Sequence, residues 1–230
     1  MKKIGLVGGT SWSSTIDYYR MLNEEINKRL GGLRFAECII YSVDFDKFQS
    51  YNWNHEWDRT AELLSKAALQ LERAGADTIL LCANTAHKVA DEVRQQIAGP
   101  LIDIRSATIK SIKDQGLKRV GLLGTVFTME MDFYRQPFTA AGIETIVPER
   151  KEDRDYIEHT LLHELGKGII RPETKKAYLD IIDALIERGA EGIILGCTEI
   201  PLLMHEDDVS LPVFNTTKIH VLAAVDYALA

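Results

Sequence analysis

Short apolar runs alternate with longer amphipathic segments along the chain. Four runs rich in Ile, Leu and Val predict buried strands, at residues 3–7, 38–43, 78–81 and 101–104. The spacing of apolar residues between these runs predicts three helices, over 13–30, 56–74 and 88–97. Strands that alternate with helices favour an α/β fold with mostly parallel sheets and right-handed crossovers.

The same order of elements restarts in the second half of the chain. Three segment pairs recur in the same order at nearly the same separation: 4–9 with 120–125, 75–84 with 189–198, and 100–104 with 212–216. We interpret this as an internal duplication. It predicts two similar domains related by a pseudo-twofold axis, each a short, mostly parallel sheet flanked by helices. We place the first domain at residues 1–100 with 213–230 and the second at 101–212.

Composition narrows the class of protein. The 230 residues include 46% apolar residues and carry a net charge of −7, from 27 basic and 34 acidic side chains, which is an ordinary mix for a globular protein. The acidic balance argues against a nucleic-acid partner, whose usual footprint is a basic face. No apolar run approaches the ~18 residues of a membrane span. The first residues predict a strand that enters a glycine turn, not a signal peptide. We therefore expect a cytoplasmic protein without a membrane or nucleic-acid partner.

The three cysteines, Cys38, Cys82 and Cys197, have no spacing typical of disulfides or metal pairs. Cys82 and Cys197 each follow a predicted buried strand, one in each half of the repeat. Ligands of parallel sheets bind beyond the carboxyl ends of the strands, where a helix N-terminus lowers the pKa of a thiol. Cys38 lies within a predicted strand and has no counterpart, so we interpret it as a buried structural residue.

Two thiols that face one carbon atom from opposite sides can invert its configuration. One thiolate removes the proton, and the other thiol returns a proton from the opposite face. If the two halves pack face to face, Cys82 and Cys197 would stand in this relation. We therefore predict both as catalytic residues.

Two motifs carry a resemblance to a known family. Residues 81–87, Leu-Cys-Ala-Asn-Thr-Ala-His, and 195–200, Leu-Gly-Cys-Thr-Glu-Ile, resemble the paired cysteine motifs of the aspartate/glutamate racemases. Residues 8–12, Gly-Gly-Thr-Ser-Trp, resemble the first glycine turn of that family, and Gly124-Thr125 with Thr128 its counterpart. Glu199, where glutamate racemases tend to have histidine, favours the aspartate-specific and broad-specificity branch.

The resemblance implies racemization of aspartate or glutamate by two cysteines, without pyridoxal phosphate, any other cofactor or a metal. It further implies two similar α/β domains with the active site in the cleft between them, and a homodimer. It assigns contacts with the amino-acid substrate to residues beside the strand ends and in two loops: Thr10, Ser11, Asn52, Ala83, Asn84, Thr85, Thr125, Thr128, Lys167 and Thr198. Aspartate-specific members usually have an arginine in the loop after residues 43–45, where this chain offers Gln49, Asn52 and Asn54 and has no arginine until Arg59. This departure puts strict aspartate specificity in doubt.

Other functions remain open at this point. A broad-specificity amino-acid racemase fits the missing arginine. The same scaffold supports one-cysteine or two-cysteine isomerases and decarboxylases of maleate, arylmalonate or hydantoin type. A catalytically silent binding protein would use the same cleft. His87 could tune the nearby thiol or bind a metal with it, but a single Cys/His pair is a poor zinc site. We favour a role in supporting the site residues or at the start of a helix.

Overall fold

The computed structural model describes all residues from 1 to 230, and the chain divides into two compact units. Unit 1 comprises Met1–Ile104 with Thr217–Ala230, and unit 2 comprises Arg105–Thr216. Each predicted boundary lies four residues earlier than the boundary of the structure. The difference arises because strand pairing places residues 101–102 in the sheet of unit 1 and residues 213–215 in the sheet of unit 2.

Unit 1 is built around a parallel four-stranded sheet with the strand order β2-β1-β3-β4. Its strands are β1 (Ile4–Gly8), β2 (Cys38–Ser42), β3 (Thr78–Leu81) and β4 (Leu101–Ile102). Its helices are α1 (Trp12–Leu30), α2 (Phe45–Trp53), α3 (Trp57–Arg73) and α4 (Ala90–Gln96), with a 3-10 turn at Thr85–Val89. The chain leaves through α5 (Ile104–Asp114) and returns through α11 (Thr216–Leu229).

Unit 2 repeats this topology with the order β6-β5-β7-β8, again all parallel. Its strands are β5 (Arg119–Gly124), β6 (Glu144–Ile146), β7 (Ile193–Gly196) and β8 (Val213–Asn215). Its helices are α6 (Val126–Glu130), α7 (Asp132–Ala140), α8 (Lys151–His163), α9 (Pro172–Glu187) and α10 (Ile200–Leu203), with 3-10 turns at Leu165–Lys167 and Glu206–Asp208. The identical strand orders match the repeat read from the sequence.

Both faces of the sheet in unit 1 are covered, as parallel sheets require. On one face, α3 and α4 pack against Val7 and Leu81. On the other face, α1 and α11 pack against Ile4, Leu6 and Leu80. Successive strand residues point to opposite faces, so the runs that form β1 and β3 are apolar at nearly every position. No helix combines the length and the apolar character that crossing a membrane requires.

Three local predictions need correction. The run 101–104 pairs in the sheet only over Leu101–Ile102, and Ile104 already begins a helix. The helix predicted from residue 88 begins as a 3-10 turn and becomes α-helical at Ala90. Cys38 is half-buried rather than buried, because β2 is an edge strand.

Candidate functional site

Cys197 directly follows β7, at the carboxyl edge of the sheet in unit 2. Its Sγ donates a hydrogen bond to Glu199 Oε2 at 2.9 Å, and Thr198 Oγ1 donates to the same oxygen at 2.9 Å. The thiol residue is half-buried, whereas Glu199 is only 6% exposed. A thiol, a hydroxyl and a buried carboxylate therefore form one hydrogen-bonded group at this edge.

The environment of Cys197 raises the pKa of its thiol well above the ordinary value. Burial is the largest cause, and the negative charge of Glu199 adds to it. The expectation of a lowered thiol pKa is therefore wrong for this residue. Its resting form is the protonated thiol, with a carboxylate in contact with the proton.

Thr125 and Thr128, two hydroxyl residues predicted to contact the substrate, lie at the end of the neighbouring strand β5. Thr125 follows β5 and caps α6, since its Oγ1 accepts a hydrogen bond from the backbone N–H of Thr128 at 3.3 Å. The two threonine hydroxyls are 3.1 Å apart. Gly124 and Gly196 are paired in the sheet immediately before Thr125 and Cys197. Unit 2 thus brings together four predicted residues: Thr125, Thr128, Cys197 and Thr198.

Glu158 on α8 joins this group and was not predicted. Its Oε2 accepts the backbone N–H of Val126 at 2.9 Å. Burial raises the pKa of Glu158, and its charge in turn raises the pKa of Cys197. The sequence carried no clear signal for it, because a glutamate in a helix rich in charged residues is typical of a solvent-facing position.

Cys82 has a different environment from Cys197. Its side chain is fully buried in the apolar cluster that contains Leu6, Tyr18 and Leu22. Its Sγ lies 4.0 Å from the carbonyl oxygen of Leu80. Burial, with a smaller effect of Cys38, raises the pKa of the Cys82 thiol. The expectation of an accessible, low-pKa thiol at this position is therefore wrong as well.

The strand registers explain why the two cysteines differ. Leu81 pairs with Val7 in unit 1, and Leu195 pairs with Leu123 in unit 2. Since β1 and β5 correspond in the repeat, Leu81 corresponds to Leu195. Cys82 then corresponds to Gly196, and Ala83 corresponds to Cys197. The prediction that the two cysteines occupy equivalent places is wrong by one residue, and a shift of one residue turns a side chain to the opposite face of a sheet.

The turn after β1 contains Thr10 and Ser11, which were predicted to contact the substrate and which have unusual surroundings. Thr10 is buried, and its Oγ1 has no hydrogen-bond partner. Ser11 has a φ of 147°, which is rare for a residue other than glycine, and its hydroxyl lies 2.8 Å from that of Ser13. Ser14 donates from its hydroxyl to the carbonyl oxygen of Cys82 at 3.2 Å, which ties the start of α1 to the end of β3.

The predicted residues after β3 are all buried. Ala83 packs in the apolar cluster on the α3 side, while Asn84 and Thr85 enter the 3-10 turn. His87 Nδ1 lies 2.9 Å from the Ala83 carbonyl oxygen, so this nitrogen is the donor. Its Nε2 therefore accepts the backbone N–H of Ile104, at 3.2 Å. His87 fixes the backbone of this turn, in agreement with the role at a helix start that the sequence favoured.

The structure places Asn52 and Lys167, the two residues predicted to contact the substrate from loops, in very different surroundings. Asn52 lies on α2 rather than in a loop, and it is fully buried. The sequence signal for this helix was Asp44, whose Oδ1 accepts the N–H of Asp46 at the helix start. Lys167 ends the 3-10 turn Leu165–Lys167 and is exposed, followed by Gly168 in a left-handed conformation. Its contact with a substrate stays a prediction.

Comparison with known proteins identifies the family. A family model described as "Asp/Glu/Hydantoin racemase" matches residues 7–224. Over 230 residues the chain is 24% identical to the broad-specificity amino-acid racemase of Bacillus subtilis, covering 99% of this chain and 98% of that protein. A crystal structure from Yersinia pestis, described as a candidate Asp/Glu racemase, is 48% identical with a TM-score of 0.92 and full coverage of both chains. An aspartate racemase homologue from Pyrococcus horikoshii is 36% identical with a TM-score of 0.88, also over both full chains.

These matches confirm the fold class, two parallel four-stranded sheets flanked by helices. They also confirm the enzyme class, because racemases are isomerases. The family description includes hydantoin racemases beside those of aspartate and glutamate, so it leaves the substrate open. The chain belongs to the Asp/Glu/hydantoin racemase family.

Proposed function

We propose that this protein interconverts the L and D forms of aspartate, glutamate or both, by removing the α-proton and returning one to the opposite face without pyridoxal phosphate. The observation that carries the proposal is the contact between the half-buried Cys197 thiol and the Glu199 carboxylate. A thiol that shares its proton with a carboxylate can act as an acid and, after the proton has moved, as a base.

The proton balance at Cys197 is simple. As an acid, the thiol gives its proton to the carbanion at Cα. As a base, it first transfers that proton to Glu199 Oε2, 2.9 Å away, and the thiolate then takes the α-proton. The electron pair of the broken C–H bond is delocalised into the substrate carboxylate. Glu199 acts through Cys197 and is therefore a positioning and proton-accepting residue.

The sequence predicts Cys82 as the second acid–base group. Its support is weaker than that of Cys197, because its thiol lies in an apolar cluster. Two substitutions decide this point: Cys197→Ala and Cys82→Ala, with Cys38→Ala as the matched control. Two-thiol racemization requires both of the first two variants to lose conversion by at least about a hundredfold. Conversion within threefold of wild type in Cys82→Ala would exclude Cys82 from proton transfer.

Polar residues at the carboxyl ends of the strands in each unit support binding of the substrate carboxylate and ammonium groups. In unit 1, the unpartnered Thr10 hydroxyl lies beside the start of α1, whose first backbone N–H groups favour an anion. Ser11, Ala83, Asn84 and Thr85 belong to the same part of the proposed site. In unit 2, the corresponding residues are Thr125, Thr128 and Thr198, and Lys167 would bind a distal carboxylate.

The test is a measurement of α-proton exchange and chirality together. Purified protein is incubated in D2O with L-aspartate, L-glutamate and a panel of other L-amino acids, without added cofactor or metal. We expect loss of the Cα–H NMR signal and appearance of the D-form on a chiral column. Retention of both the Cα–H signal and the L-form for every amino acid would refute the proposal. The same protein is analysed by light scattering for the homodimer that we also propose, and by fractionation of its source cells for a cytoplasmic location.

The residue at position 83 favours a second candidate function. Ala83, which corresponds to Cys197 in the repeat, has no acid–base group. A site with one thiol would suit an isomerase or a decarboxylase of dicarboxylates better than a two-thiol racemase. Turnover of maleate or an arylmalonate, with no change in free amino acids, would support this function. Conversion of many amino acids at similar rates would instead indicate a broad-specificity racemase.

A further inference from the structure

Two histidines form a pair on the surface of unit 2, in the last two turns of α8. His159 and His163 are four residues apart, so they are neighbours on one face of the helix. Their ring centroids are 4.6 Å apart, and the ring planes are tilted by 48°. Both side chains are exposed, and apart from this mutual contact neither ring has a hydrogen-bond or ion-pair partner. The nitrogen lone pairs of both rings are therefore available to a ligand.

The other four of the six histidines have roles in the fold. His87 and His220 are buried and hydrogen-bonded to the backbone. His205 caps a 3-10 turn, and His55 packs edge-on against a neighbouring tryptophan. None of these contacts has an equivalent at the pair on α8. The pair is thus a cluster of metal-ligating side chains that neither the fold nor the proposed reaction uses.

The spacing of the two rings suits a single metal ion. Bonds between a transition metal and an imidazole nitrogen are about 2.0–2.1 Å long, so two nitrogens on one ion are about 3 Å apart. Rings whose centroids are 4.6 Å apart reach this separation by small rotations of the side chains. Exposed side chains make such rotations within nanoseconds. Two histidines at positions i and i+4 of a helix are also the arrangement with which metalloproteases bind zinc.

The donor set and the position on the helix select the metal. No third His, Cys, Asp or Glu completes the pair, whereas structural zinc sites have four protein ligands. Cu2+ and Ni2+ prefer tetragonal sites of nitrogen and oxygen ligands, in which water fills the remaining positions. His163 is the last residue of α8, and the dipole of a helix favours positive charge at that end.

We propose that His159 and His163 form a surface binding site for Cu2+ or Ni2+, in which each imidazole provides one nitrogen and water provides the other ligands. The bound ion would cross-link the final turn of α8. The site is separate from the thiol group of the proposed reaction, which needs no metal. Its occupancy is therefore independent of whether the protein racemizes amino acids.

The experiment is a calorimetric titration of the full-length protein with NiCl2, since Cu2+ would oxidise the thiols. The variants are His159→Gln, His163→Gln and the double substitution, because glutamine keeps the helix propensity and removes the imidazole. The control is His55→Asn, an exposed histidine with a φ of 56° that asparagine also adopts. We expect one Ni2+ per wild-type chain. Each single variant should bind Ni2+ at least about tenfold more weakly, since the second imidazole binds as an intramolecular ligand.

The results distinguish a chelating pair from separate imidazoles and from thiols. An affinity of His55→Asn within about twofold of wild type, together with the loss in both single variants, would support the site. A loss below tenfold in either single variant, two equal independent sites, or no binding by wild type would overturn it. All variants keep the same cysteines, so a site formed by a thiol would not respond to these substitutions. NMR provides a second readout: substoichiometric Ni2+ should broaden the imidazole signals of two of the six histidines, and the double variant should lose this effect. Equal broadening in the double variant would contradict the assignment.

Discussion

A carboxylate that touches a thiol raises its pKa and also accepts its proton, and these two effects have opposite consequences in Glu199→Gln. Removing the charge lowers the pKa of Cys197, since Glu199 raises it at present. We therefore expect alkylation of Cys197 by iodoacetamide to reach half its maximal rate at a lower pH than in wild type. Racemization should fall, by about 10²–10⁴-fold, because the proton acceptor is lost. Mass spectrometry of the Cys197 peptide measures alkylation, with the Cys38 peptide as the internal reference. A labelling curve that does not move would contradict the role of the carboxylate charge.

The apolar surroundings of Cys82 lead to a prediction about stability. Cys82→Ser places a hydroxyl among aliphatic side chains and should lower the free energy of unfolding by about 1–3 kcal/mol. Cys82→Ala should cost less, because it buries no polar group. Urea unfolding measures both variants. The matched control is Cys38→Ser on the half-buried edge strand, with a change of about 0.5 kcal/mol or less. A serine at 82 that is as well tolerated as one at 38 would show that the site is more open than the structure indicates.

Cys82 and Cys197 also show which properties of a residue could be predicted from the sequence and which could not. Both follow an apolar run and precede small polar residues, so both could be recognised as residues at a strand end. The face of the sheet on which each thiol lies depends on a single residue of register, which becomes visible only through the pairing of Leu81 and Leu195 with their neighbours. The contact between Cys197 and Glu199 was equally invisible, although both residues lie in one recognised motif.

At the level of elements, β1 and β3 were predictable because they are buried on both faces and therefore apolar at nearly every position. The predicted helix 56–74 is α3, which differs by one residue at each end. Helix α2 was missed, since residues 45–53 mix aromatic and polar side chains and have no strong apolar stripe. The length of β4 was overestimated. The strand ends at Ile102, because the polar Asp103 interrupts the apolar run and the chain enters a helix at Ile104.

Strands β5 and β7 approach closely at the glycine pair before Thr125 and Cys197. A Cβ on Gly124 would lie 2.8 Å from the carbonyl oxygen of Gly196, a backbone atom that cannot move aside. Gly124→Ala should therefore lower the free energy of unfolding by more than about 2 kcal/mol and disturb the Thr125 turn. Gly142→Ala is the control, with open space around its Cβ and only the strain of its φ of 81°, about 1 kcal/mol. Chemical denaturation compares the two, and equal losses would argue against close packing at the pair.

Across the whole molecule, His220 joins segments of unit 1 that are far apart in the sequence. Its Nε2 donates to the Ile102 carbonyl oxygen at 2.8 Å, so its Nδ1 accepts from the Tyr18 hydroxyl, also at 2.8 Å. Burial, with the nearby His87, lowers the pKa of His220 to about 3, while the Ile102 carbonyl and Asp103 oppose the shift. This imidazole is neutral throughout the range in which an unfolded histidine becomes protonated.

The lowered pKa of His220 makes stability depend on pH. As the pH falls below about 6.5, the unfolded chain takes up a proton at this site and the folded chain does not, until the pH nears 3. Unfolding becomes easier by up to about 1.4 kcal/mol for each pH unit in that window. His220→Gln should be less stable at pH 7 but should lose less stability between pH 6.5 and 5. Urea unfolding at several pH values tests this, with His159→Gln on the exposed face of α8 as the control. Parallel pH curves for wild type and His220→Gln would contradict the burial of a neutral imidazole.

The division of unit 1 into two stretches of chain has a consequence during synthesis. A polypeptide leaves the ribosome from its N-terminus, so residues 105–216 have all emerged before residues 217–230 follow. Until then, the sheet face that α11 covers lacks Val221, Ala224 and Val225, and Tyr18 lacks His220. Unit 2 is continuous, so all of its strands have emerged before the residues of α11 that complete unit 1. The unit translated first is thus the last to be completed, and its half-covered apolar face is the surface that a chaperone would meet on the nascent chain.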